Sequence, residues 1–84
     1  MLVYELVAED LSNLGGPMGT ESTTETSIGL FQGIGLAKAA AITYFNKNSK
    51  ARRLELKWIK EGGGYRSEDL SWVMFHIRPR NVKA

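Results

Sequence analysis

The sequence predicts an α+β domain of order β-α-β-β: a three-stranded, mainly antiparallel sheet in strand order 1-3-2, with one helix packed on one face. Three observations lead to this reading. Apolar and polar residues alternate over residues 2–8 and 51–60, the period of a half-buried strand. A helical apolar spacing fills much of the interval between them, and glycines and prolines gather where the chain must turn. Composition agrees: 84 residues suffice for one domain spanning the whole chain, and 43% hydrophobic with 24% charged residues is a globular balance.

Taken in order, residues 2–8 place Leu2, Tyr4, Leu6 and Ala8 on one side and Val3, Glu5 and Val7 on the other, which is the first strand. Residues 9–20 carry Gly15, Gly16, Pro17 and Gly19 and read as a loop. Ser22-Thr-Thr-Glu25 fits a capping box, so a helix is expected to begin there. Beyond it Ile28, Phe31, Ala39, Ile42 and Phe45 recur at helical spacing, widened by Leu30, Ile34, Ala37 and Ala41. Gly29, Gly33 and Gly35 weaken this helix, each by up to about 1 kcal/mol relative to alanine, which leaves residues 36–46 as its firm part. Asn46 and Asn48 among Lys47 and Lys50 supply C-terminal signals.

The second strand, residues 51–60, puts Leu54, Leu56 and Trp58 towards the helix and Arg53, Glu55 and Lys57 away from it. Gly62-Gly63-Gly64 lies within a hairpin loop over residues 61–69. The third strand, residues 70–78, ends at Pro79. It is apolar on both sides, Val73, Phe75 and Ile77 on one and Leu70, Trp72 and Met74 on the other, and a strand covered on both faces belongs at the centre of a sheet.

Function classes narrow from the same residues. The chain has no cysteine and one histidine, so disulfides and a structural zinc site are not expected, nor is a cofactor or metal of any kind. No signal-peptide layout opens the chain, and a cytoplasmic protein is the expectation. Residues 27–45 are long enough to cross a bilayer, but Lys38 near their centre and three glycines keep mean hydropathy low. Residues 1–42 sum to −4 and residues 43–84 to +6, so an anionic surface would be met by the second half.

No catalytic constellation stands out. Ser67 or Ser71 would have to find His76 together with Glu68 or Asp69, and a polar hairpin loop gathers such residues by chance. Gly62-Gly63-Gly64 with Tyr65 and Arg66 could nest a phosphate, yet it lacks the lysine-serine/threonine ending of a P-loop. The stretch Gly33-Ile-Gly35-Leu-Ala-Lys-Ala-Ala-Ala-Ile resembles the turn-and-helix segment of short-chain dehydrogenases over about ten residues, with Glu55 near where an acid would hold the ribose. Lys38 stands in place of the last glycine or alanine of that fingerprint and no tyrosine-x-x-x-lysine pair follows. Small residues at a helix–sheet contact account for the run.

The remaining signal is the sheet face away from the helix. There Arg53, Glu55 and Lys57 are expected beside Trp72, Met74, His76 and Arg78, with Tyr65 and Arg66 at the hairpin. An apolar centre inside a charged rim has the composition of an interface. The expectation is a non-enzymatic binding or regulatory protein acting on a protein partner or a second copy of itself. In size and lack of motifs it resembles the small inhibitors that phages encode, anti-CRISPR proteins among them, which implies an inhibitory role. The alternative is a nucleic-acid-binding module using Arg52, Arg53, Lys57, Arg66, Arg78, Arg80 and Lys83 interleaved with Trp58, Tyr65 and Trp72.

Overall fold

A computed structural model describes residues 1–11 and 24–82 of the chain. Six elements follow one another: β1 (Leu2–Asp10), β2 (Thr24–Phe31), α1 (Ile34–Asn48), β3 (Trp58–Glu61), β4 (Gly64–Ser67) and β5 (Val73–Asn81). The strands form one five-stranded sheet in the order β2-β1-β5-β4-β3, each pair antiparallel. This corrects the expected three-stranded 1-3-2 sheet, and the two additional strands have separate causes.

The first is β2, which the helical spacing of Ile28 and Phe31 had assigned to the helix. Thr24, Thr26 and Ile28 are β-branched and Gly29 is a poor helix former. Pairing with β1 from Tyr4↔Phe31 to Asp10↔Thr24, with a bulge between Leu6 and Val7, satisfies a backbone edge that an isolated helix turn would leave open. The capping-box residues Ser22 and Thr23 lie outside the described residues, and Glu25 stands in the strand. The helix starts at Ile34 behind Gly33, which offers no side-chain cap.

The second is β4, inside the stretch read as a loop. Only Gly62 and Gly63 turn, between the paired Glu61 and Gly64, and Gly62 adopts a left-handed φ of 59° that costs glycine nothing. Gly64 brings the hairpin against β5 so closely that a Cβ there would collide with the Ile77 carbonyl oxygen. β5 does not stop at Pro79. It continues to Asn81, with Pro79 opposite Tyr4, beyond the end of its pairing with β4.

The core lies between α1 and one face of the sheet. Ala37, Ala41 and Phe45, one turn apart, are buried against Leu6 and Ala8 of β1 and Val73, Phe75 and Ile77 of β5; the two alanines allow close approach. The ring of Tyr44 meets Phe75 edge-on at 5.8 Å. Lys38 reaches over the Tyr65 ring, 4.5 Å from its centroid, so its ammonium rests on an aromatic face.

Two face assignments change. Trp72, expected to point outward, stacks on Phe45 with centroids 5.8 Å apart and rings 19° from parallel. Alternation fails there because the strand begins only at Val73: Ser71 is left-handed (φ 74°), its amide held by Asp69 Oδ1 at 2.8 Å, and this turn sends Leu70 and Trp72 to the core side with Val73. Leu54, expected in the core, is 97% exposed, because residues 51–57 are irregular rather than a strand. Leu56 alone of that pair is buried.

Two outcomes test this packing. Gly64→Ala should destabilise the protein by about 2 kcal/mol or more in urea denaturation, while Gly35→Ala, where a methyl meets nothing, should be neutral or stabilising. Trp72→Ala should cost about 3 kcal/mol as a core truncation; an unchanged melting curve would mean that the stack with Phe45 holds nothing together.

Candidate interaction surfaces

Two surfaces lie outside the core. The first is the sheet face away from α1, where β-strand alternation places Glu5 and Glu9 of β1, Glu25, Ser27 and Leu30 of β2, Met74, His76, Arg78 and Arg80 of β5 and Arg66 of β4. Its charges are largely spent on each other. Arg78 reaches across β1 to grip Glu25 with both terminal nitrogens, at 3.1 and 2.9 Å. Arg80 binds Glu5 at 2.9 Å, which also accepts from Ser27 at 2.8 Å. Arg66 pairs with Glu61 at 2.7 Å, and His76 Nε2 lies 2.8 Å from Glu9.

These contacts shift the groups involved. The hydrogen bond from Arg78 lowers the Glu25 carboxyl below its ordinary value of 4.5, and hydrogen bonds from Ser27 and then Arg80 lower Glu5. Arg78 is raised reciprocally, first by its hydrogen bonds to Glu25.

This face does not carry all that the sequence assigned to it. Met74, His76, Arg78 and Arg66 are on it. Trp72 is not, and Tyr65, paired with Ile77, points to the helix side, where Lys38 covers it. Arg53, Glu55 and Lys57 belong to no strand and sit beyond the sheet. The serine–histidine arrangement is not assembled either: Ser67 is buried, accepts from the Phe75 amide at 2.8 Å and shares a face with Tyr65, opposite His76. Beside the glycine turn an open cleft of about 240 Å³ runs from Glu61 to His76 and Arg78. Its arginine already holds Glu25, and Glu61 at its edge would repel a phosphate.

The second surface is the connection from α1 to β3. Asn46 receives the Arg53 amide at 2.8 Å and donates to the Arg53 carbonyl at 2.9 Å. Glu68 accepts from the Lys57 amide at 2.8 Å and from Arg53 Nη1 at 3.3 Å. Between these anchors Leu56 is inserted into the core and Leu54 stands free. Arg52 and Lys57 flank it in sequence, and neither they nor Lys47, Lys50 and Lys60 form an ion pair among the described residues. Strand alternation pointed Leu54 inward, so nothing in the sequence marked it; its exposure follows from the backbone pins on either side.

No helix among the described residues is long and apolar enough to cross a membrane; the stretch over residues 27–45 is divided between β2 and α1. Glu5 and Glu25 together set an acid response. Each has a folded-state value below its unfolded one, so the stability they contribute is complete above about 4.5 and is lost as pH falls through their lowered values. Melting temperature should therefore drop from pH 5 to pH 3 (chosen assay conditions), and less steeply in Glu25→Gln; equal slopes would remove Glu25 from the account. Among known protein families, curated proteins and solved structures, none matches this chain.

Proposed function

We propose that the chain is a non-enzymatic protein-binding module whose contact surface is the pinned connection over residues 52–57. The observation that carries this reading is Leu54, a large apolar side chain 97% exposed on backbone that hydrogen bonds hold at Arg53 and Lys57. Fixing an apolar residue in water brings folding no benefit, whereas a pre-ordered anchor reduces the ordering cost of association. Arg52 and Lys57, in no ion pair among the described residues, flank Leu54 in sequence with Glu55 between them. The matching partner is a protein surface with an apolar pocket inside an acidic border, and the charges chiefly set encounter rate.

The nucleic-acid alternative draws less support. Of the bases it would use, Arg53, Arg66, Arg78 and Arg80 are each committed to a glutamate, so few remain to displace counterions from a phosphate backbone. Leu54→Asp should leave the melting temperature unchanged and weaken capture of the chain's protein partner by about tenfold or more, as loss of a central anchor does. Affinity capture from nuclease-treated lysate, comparing the two forms, reads this, with light scattering to show whether the captured species is a second copy. Equal capture by both forms would sink the proposal; capture that depends on intact nucleic acid would promote the alternative.

A further inference from the structure

Glu9 and Glu25 are direct cross-strand partners on β1 and β2, and two carboxylates so placed repel unless a cation lies between them. His76 approaches from β5 on the other side of β1, its Nε2 2.8 Å from Glu9 Oε1. One ligand atom from each of the three residues lies within 4.8 Å of the others. Three donors from three hydrogen-bonded strands thus converge on the open face, carried by regular backbone rather than by loops.

We propose that Glu9, Glu25 and His76 bind a single divalent transition-metal ion of the zinc type. The donor chemistry selects the class. Magnesium and calcium take six or more oxygens, whereas zinc accepts one imidazole nitrogen with carboxylates and leaves a further position to water. Bonds of about 2.0–2.2 Å place tetrahedral ligand atoms roughly 3.4 Å apart, so side-chain rotation alone gathers this trio. Arg78 holds both Glu25 oxygens, at 3.1 and 2.9 Å, so an ion takes one of them from the guanidinium while the other keeps its hydrogen bond, and such outer hydrogen bonds steady metal ligands. The sequence did not suggest the site, because Glu9, Glu25 and His76 are brought together only by strand pairing.

Isothermal titration of the chelator-treated full chain with zinc chloride at neutral pH should show one equivalent bound. The imidazole NMR signals of His76, the sole histidine, should shift over the same titration. Glu25→Gln, at an exposed strand position, should weaken binding by about tenfold or more, His76→Ala should abolish it, and magnesium chloride should produce neither heat nor shift. Unmoved histidine signals at millimolar zinc would overturn the proposal, as would zinc binding that is unchanged in both variants. Circular dichroism checks each variant's fold; if His76→Ala does not fold, Glu25→Gln and the histidine signals decide.

Discussion

One fifteen-residue helix must cover a five-stranded sheet, and it can lie on only one face. Most of the remaining design follows from that shortage. On the helix side, α1 rests over β2, β1 and β5, and side chains from connections complete the core: Leu56 before β3, and Leu70 and Trp72 before β5. Apolar burial at about 25 cal/mol per Å² drives this arrangement. The connections must therefore be held in place, which the Asn46–Arg53 and Glu68–Lys57 hydrogen bonds do.

On the other side no second layer exists among the described residues, and charged side chains close the face instead. Long arginines suit the task because their stems are apolar and their planar heads can hold both oxygens of a carboxylate. Arg78 spans an entire strand to reach Glu25. Exposed pairs of this kind add little stability singly, but together they occupy charges that would otherwise attract nucleic acid or polyanions. Arg52 and Lys57 of the connection, by contrast, form no ion pair among the described residues.

The two surfaces also differ in rigidity and chemistry. The backbone positions of Glu9, Glu25 and His76 are fixed by strand register, so only side-chain rotation changes their mutual approach while β1 stays paired. The backbone on either side of Leu54 is held instead by the Asn46 and Glu68 side chains, together with the bond from the Glu68 amide to the Lys57 carbonyl.

Local sequence determined those elements whose signal is local. The alternation of Leu2 to Ala8 specified β1, and Val73, Phe75 and Ile77 specified the inner face of β5; of the apolar stripe expected for the helix, Ala37, Ala41 and Phe45 are its buried residues while Ala39 is exposed. Tertiary structure decided the rest. Thr24–Phe31 carries both a helical apolar spacing and β-branched residues, and the unpaired edge of β1 resolves the conflict in favour of a strand. Gly64 fits a strand only because β5 passes close beside it. Leu54 and Trp72 exchanged their expected environments because alternation reports a face only while the backbone is extended, and the irregular segment over residues 51–57 and the left-handed Ser71 interrupt it. The glutamate–histidine cluster draws on residues as much as 67 positions apart, a proximity that only strand register, a property of the assembled sheet, can create.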